Sequence, residues 1–253
     1  MQLKNNTPVL IVDNKVLVNG IGGNFIPAGQ GAEGGGGGVD IYSKAVFVLD
    51  FEDSIPTYTN TGNAITSINY PSGAPSVGIV DGINCIHCNG NGLRIKFENF
   101  ASLYNRMDLA VSFWAKSEAG TPLGRDCIVF LSDANYANAK NLAIGSDVRQ
   151  ADGFLAQYEL EDDHWHHYLF NCQNGSGSFY VDGEIIDSFA VATPAMTGNT
   201  VMAVGGILSG WLNNGGEMVE YKDVRIAAIK VFYTAIPEDK ITALASEFTP
   251  TNS

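Results

Sequence analysis

Trp165-His166-His167-Tyr168-Leu169-Phe170-Asn171-Cys172 runs through Gln173 into Asn174-Gly175, resumes as Ser178-Phe179-Tyr180-Val181, turns at Asp182-Gly183 and continues as Glu184-Ile185-Ile186. Asn-Gly and Asp-Gly tolerate the positive φ angles that two-residue hairpin turns demand. The segments between them alternate and are rich in aromatic and β-branched residues, so they read as strands. The stretch predicts a meander of three antiparallel strands, and with it an antiparallel all-β domain.

The same reading extends outward. In Ala45 to Glu52, Phe47, Leu49 and Phe51 share one face of a strand, and Val48, Asp50 and Glu52 share the other. Residues 83 to 97 supply one or two strands broken at Asn89-Gly90-Asn91-Gly92, and Asp108 to Lys116 and Asp126 to Leu131 follow. Beyond the meander, Val201 to Ile207 and Val224 to Tyr233 are the last long strands. Pro237-Glu238-Asp239 then opens a helix, with proline at its first position and acids at the positive end of its dipole. Ile241, Leu244 and Phe248 are spaced to pack one face of that helix against a sheet.

The N-terminus is a separate module. Val9 to Val12, Asp13-Asn14 and Lys15 to Val18 read as a hairpin within residues 1–20. An isolated hairpin is marginal in water, so its apolar strands need a partner surface: the main domain, another copy of the chain, or another protein. Residues 21–42, with the glycine run Gly34 to Gly38, have the composition of a linker. No Gly-Lys-Ser/Thr follows, so this is not a phosphate loop. Residues 43–253 form the main domain.

Several pieces of that domain resemble the laminin G-like domains of the concanavalin A-like lectin and glucanase superfamily. These are Trp165 with His167, the Tyr180-Val181-Asp182-Gly183 hairpin, Val111-Ser112-Phe113-Trp114-Ala115-Lys116, Lys222-Asp223-Val224-Arg225-Ile226, and Pro237 to Ile241, in family order over roughly residues 45 to 248. The resemblance implies an antiparallel jelly-roll β-sandwich with a short C-terminal helix. It also implies a structural calcium ion tying the first strand to the last, with Glu52 and Asp223 at the matching positions. Asp223 has an alternative as a surface acid paired with Lys222 or Arg225. The fold hosts lectins, hydrolases and spacers alike, so it does not name a ligand.

Charge narrows the partners. Fourteen basic residues stand against 27 acidic ones, a formal net charge of −13. This argues against binding a phosphate backbone and against docking on an anionic membrane. No span approaches the roughly 18 apolar residues of a membrane helix. Met1-Gln2-Leu3-Lys4-Asn5-Asn6 shows no basic start followed by an apolar run. With Met1 as the native start, the expectation is synthesis in the cytoplasm without export, which a virus particle released by lysis would reconcile with a lectin-like domain.

Cys85-Ile86-His87-Cys88 invites a zinc reading, but residues three apart on a strand point to opposite faces, and small buried thiols fit better. On a strand His164 and His166 share a face, giving two possible metal ligands without an obvious third; packing is the plainer role of Trp165 and His167. The retaining glucanases of the superfamily carry Glu-x-Asp-x-(x)-Glu on one strand. Glu159-Leu160-Glu161-Asp162-Asp163 is the closest run and lacks that order. No catalytic residues are assigned. For a sugar, which stacks its apolar face and bonds through its hydroxyls, the candidates are Trp211, Asn213 and Asn214 in the glycine-rich run 205–216, with Tyr136 in a second loop.

These readings combine into an expectation of a non-enzymatic virion appendage, a capsid decoration or tail-associated protein of a bacteriophage. Its hairpin would bind other virion proteins or a second copy of the chain, and its sandwich would touch host or mucosal glycans. The alternatives are a secreted or cell-surface bacterial glycan-binding module and, third, a glycoside hydrolase.

Overall fold

A computed structural model describes residues 9–12, 15–19, 25–27, 45–50, 57–60, 65–69, 73–89, 92–97, 108–117, 127–133, 142–145, 147–150, 153–158, 163–191, 200–205, 207–208, 218–219, 223–232, 234–248 and 250. The chain divides into two compact units, Met1–Lys44 and Ala45–Ser253. In the first, β1 (Val9–Val12) and β2 (Lys15–Asn19) pair antiparallel with Val12 opposite Lys15, the two-residue turn expected from Asp13-Asn14. A third strand, β3 (Phe25–Pro27), joins β2 with Val18 opposite Ile26. It lies inside the glycine-rich stretch read as linker, where Phe25-Ile26-Pro27 is an apolar island in the sequence.

The described residues of the second unit are mostly strand. That unit begins with β4 (Ala45–Asp50), β5 (Thr57–Asn60), β6 (Ile65–Asn69), β7 (Ser76–Val80), β8 (Ile83–Cys88) and β9 (Leu93–Phe97). Next come β10 (Leu109–Ser117), β11 (Cys127–Asp133), β12 (Leu142–Gly145), β13 (Asp147–Gln150) and β14 (Gly153–Gln157). The meander is β15 (His166–Gln173), β16 (Ser176–Val181) and β17 (Glu184–Ala190). β18 (Thr200–Val204), β19 (Ile207–Leu208), β20 (Met218–Val219) and β21 (Val224–Phe232) precede the helix α1 (Glu238–Ala245). Among the described residues no helix is long and apolar enough to cross a membrane.

The strands form two large antiparallel sheets. One has nine strands in the order β17-β16-β15-β10-β21-β4-β5, with β8 also on β21 and β7 on β8. The other has seven, in the order β14-β13-β12-β11-β18-β9-β6. Their facing sides make one core: Val111, Phe113, Tyr168, Phe170 and Phe179 from the first meet Val129, Leu142, Ile144, Met202 and Val204 from the second, all fully buried. Phe113 and Phe179 stack on either side of Tyr168, with centroids 5.3 and 6.3 Å from its ring. This is the jelly-roll sandwich expected from the sequence.

The turns obey local chemistry. Asn174 and Gly175 have φ of 50° and 77°, and Asp182 and Gly183 have 52° and 84°. These are primed-turn values, reached cheaply only by glycine and by short polar side chains. Asp81-Gly82 between β7 and β8 repeats the pattern at 52° and 81°.

The outer face of the nine-stranded sheet holds a second apolar cluster of Ile83, Cys85, Trp114, Trp165, Ala227 and Ala228, with Phe248 packed against it. β21 serves both faces because of a bulge. Ser112 pairs with Lys230 but Trp114 pairs with Ala227, so β21 carries one extra residue there, and Ala228 takes a φ of 47°. The bulge resets the alternation, so that Val224 and Ile226 before it and Ile229 and Val231 after it all face the core. The segment after β21 covers the outer face: Ile241 and Leu244 of α1 are buried, and Phe248 meets Trp114 edge-on at 5.7 Å.

Candidate functional site

Trp211, Asn213, Asn214, Tyr136 and Glu52 lie outside the described residues, as does the acidic run Glu159 to Asp162. The described backbone nearest the Trp211 run is the short pair β19 and β20, with Ile207 opposite Val219. Asp223 is described, whereas Lys222 is not. Its Oδ1 accepts a hydrogen bond from His87 Nε2 at 2.6 Å, both side chains partly exposed. β8 brings them together by placing His87 opposite Arg225 and Cys88 opposite Val224.

The two cysteines of β8 part as strand geometry requires. Cys85 enters the outer cluster and Cys88 the core, both buried. Burial, followed by repulsion from the nearby Cys85, pushes the Cys88 thiol up to about 12, so it is a packed thiol and not a ready metal ligand. His164 and His166 do not form a ligand pair. β15 begins only at His166, so His164 lies outside the strand whose alternation would put the two on one face. Among the described residues no group of three or more His, Cys, Asp or Glu could hold a metal ion.

The densest polar constellation is one that reading the strands singly does not reveal. Asp182 sits at the β16–β17 turn. Its Oδ2 accepts from His166 Nδ1 at 2.5 Å and its Oδ1 accepts from the His167 backbone N–H at 2.8 Å. The Asp182 N–H returns a bond to His167 O at 2.8 Å. Burial alone would raise the Asp182 carboxyl, but these hydrogen bonds and the neighbouring imidazoles outweigh it and hold it below its ordinary value. One strand inward, His167 Nε2 lies 2.8 Å from Ser112 Oγ, and both residues are buried.

Serine, histidine and aspartate thus converge, but not as a catalytic relay. The Asp182 carboxylate holds the neighbouring imidazole and a backbone N–H, not the His167 ring. His167 Nδ1 is buried without a partner. An unpaired lone pair costs less there than an unpaired N–H, which assigns the proton to Nε2, donating to Ser112. A base that already donates to its serine withdraws no proton from it. Burial, helped by the Lys230 ammonium and opposed by Asp182, lowers His167 to about 3, so it is neutral at physiological pH. Trp114 closes the space beside it at 5.6 Å, and Lys230 above the sheet is bonded to Glu247 just past α1.

The profile of a laminin G-like family, described as the concanavalin A-like lectin/glucanases superfamily, matches residues 89–242, more than half of the chain. The chain belongs to this superfamily. Solved structures share the fold at low identity. Domain 4 of AbnA, a GH43 extracellular arabinanase from Geobacillus stearothermophilus, in complex with arabinotriose, is 17% identical with a TM-score of 0.58, covering 80% of this chain and 98% of that one. A botulinum neurotoxin type C structure, whose cell entry depends on two ganglioside molecules, is 14% identical with a TM-score of 0.55, covering 82% and 52%. The binding domain of serotype D/C is 13% identical with a TM-score of 0.56, covering 84% and 54%. The chain spans about half the length of the toxin chains it matches. No curated protein matches it.

Membership in the concanavalin A-like superfamily raises the question of calcium, which wants six to eight oxygen ligands. Among the described residues no three His, Cys, Asp or Glu side chains come together, and Glu52 lies outside them. Asp223 is the nearest candidate, and one of its oxygens is committed to His87.

Proposed function

We propose that this chain is a non-catalytic glycan-binding module carried as an appendage of a virion, with the N-terminal unit as its attachment and the sandwich as its contact surface. The sealed Ser112–His167 pair carries the contact-only reading: the constellation closest to hydrolytic chemistry is buried, polarised the wrong way and used to bind strands together. The superfamily supports the glycan reading, as do two fold neighbours, one solved with arabinotriose and one entering cells through gangliosides. The apolar β1–β2 hairpin and the glycine run that follows support attachment through residues 1–38.

A glycan array with the full chain, run with and without calcium, tests the reading together with reducing-sugar release from a polysaccharide panel. Binding without release is expected. Release that is lost on replacing a carboxylate would make the protein a hydrolase. Deleting residues 1–38 is expected to free the sandwich from particles, and its retention would end the attachment claim. A second reading, a secreted module, is favoured by the extracellular arabinanase domain, which the chain covers almost entirely. Gene neighbours separate the two: capsid or tail genes support the virion, and an upstream signal peptide supports secretion.

A further inference from the structure

β7 ends one branch of the nine-stranded sheet: among the described strands it pairs only with β8, which leaves its other edge open. The Asp81-Gly82 turn fixes which backbone groups lie on that edge. A two-residue turn with φ of 52° and 81° makes Val80 and Ile83 a hydrogen-bonded pair. Such pairs alternate along an antiparallel ladder, so Gly78 and Ser76 also bond to β8, while Val77 and Ile79 direct their N–H and C=O groups outward. Their side chains are exposed too, Val77 at 36% and Ile79 at 71%. They share the face that Ile86, opposite Val77, turns to the core. At Gly78, between them, an added Cβ would meet nothing within 4 Å.

Exposed strand edges are ordinarily blunted by charge, proline or a bulge. β17, at the far end of the same sheet, carries Glu184 and Asp187 and gains an extra residue where Phe179 faces Asp187 but Tyr180 faces Ile185. β7 is Ser-Val-Gly-Ile-Val, uncharged and paired without a register shift, and the neighbouring Asp81 is neutralised by Lys116 Nζ at 2.8 Å. We propose that β7 is the seam of a two-fold dimer, pairing antiparallel with β7 of a second copy about Gly78. That register sets Val77 opposite Ile79 of the second copy on either side of the axis, so the outward groups of both residues close into four hydrogen bonds. It sets Gly78 against Gly78 at the axis and gathers the four exposed apolar side chains on one face. The strand is β-branched on both sides of its central glycine, a symmetry that suits pairing with itself and that a foreign strand would not require. Charge favours the same seam, since a chain of net charge −13 meets its copy at least cost along a neutral strand. Five residues a side fall short of the roughly 20–30 of a stable interface, so the dimer is a weak one.

Sedimentation equilibrium of the full chain between about 10 μM and about 1 mM is expected to show monomer and dimer in exchange. V77P deletes an outward N–H and leaves the bonds to β8 intact, so it is expected to weaken the dimer about tenfold or more. V77E and I79K each put a charge into the apolar patch and are expected to weaken it likewise. Mixing V77E with I79K sets a carboxylate against an ammonium across the axis and is expected to restore the dimer as a mixed pair. I185S, at an exposed apolar position on β17, is the control and is expected to change nothing, with unfolding midpoints verifying the fold of each variant. A monomer at every concentration overturns the proposal. So does a dimer that V77P and I79K leave intact, which would place the seam elsewhere. Dimerisation lost in V77E and I79K and not regained on mixing them overturns the pairing about Gly78.

Discussion

Asn171 stands in for a strand neighbour of Ile236. Its Nδ2 donates to Ile236 O at 3.0 Å, and its Oδ1 accepts from Ile236 N–H at 2.8 Å. A side-chain amide has the donor and acceptor spacing of a peptide group, so it satisfies both backbone groups of a residue that has left the sheet. The contact pins the chain between β21 and α1, which sets the helix over Trp114 and the covered His167. Gly183 fits the same arrangement, since a Cβ there would sit 3.4 Å from Ala245 Cβ. N171A removes both bonds and leaves partly buried backbone groups unpaired, so urea unfolding is expected to show a loss of about 1–3 kcal/mol. N171D is expected to lose more at neutral pH, because its carboxylate still accepts from Ile236 N–H but turns a second oxygen toward Ile236 O.

Gly177 and Phe189 face one another across β16 and β17 and share one volume. Alanine at 177 would press its methyl into the Phe189 ring and Val191, and the ring must move. G177A is expected to destabilise by about 1–3 kcal/mol, the usual range for overpacking. The double variant G177A/F189A is expected to cost less than the sum of the single changes, since the clash disappears with the ring. Strict additivity in a thermal or urea double-mutant cycle would contradict the shared volume.

The meander was legible because its turns are local. Asn174-Gly175 and Asp182-Gly183 announce positive φ without any knowledge of the rest of the chain. Asp81-Gly82 carried the same signal, yet β7 was missed: Ser76 to Ile79 are exposed on both faces, so no buried alternation marks the strand. The bulge in β21 is written as Ala227-Ala228 interrupting an otherwise regular alternation, but its purpose shows only when both ends are seen facing one core. Ser112 and Trp114 share one face of β10. Register is what brought His167 beside them, and register is set by pairing between residues more than fifty positions apart. The same non-locality hid His87 as the partner of Asp223.

The Asp223–His87 contact sets an expectation for calcium. Both side chains are partly solvated, so D223N in calcium-free buffer is expected to lower stability by less than about 1 kcal/mol. A calcium ion recruited to the carboxylate would have to compete with His87. Thermal midpoints measured with EGTA and with millimolar calcium separate the two uses: a calcium-dependent rise that D223N abolishes would assign the carboxylate to an ion, and an unchanged midpoint would leave it with the imidazole.

His167 makes the fold sensitive to acid. Its folded value is lowered from 6.5 to about 3, chiefly by burial, then by the Lys230 ammonium, with Asp182 pulling the other way. The unfolded chain therefore binds the proton first. The stability contributed by neutral His167 is complete above pH 6.5, falls as the pH drops, and levels off near 3. The slope is about 1.4 kcal/mol per pH unit, and the full loss is on the order of 5 kcal/mol. Asp182, depressed below its ordinary 3.8, adds its own loss only at the acid end of that window. Urea unfolding at pH 7, 6, 5 and 4 is expected to show this decline in the native chain. H167Q keeps an amide donor for Ser112 and cannot titrate, so it is expected to start less stable at pH 7 and to lose stability more slowly toward pH 4. Equal slopes in the two proteins would mean that His167 reaches solvent and takes its proton in the folded state.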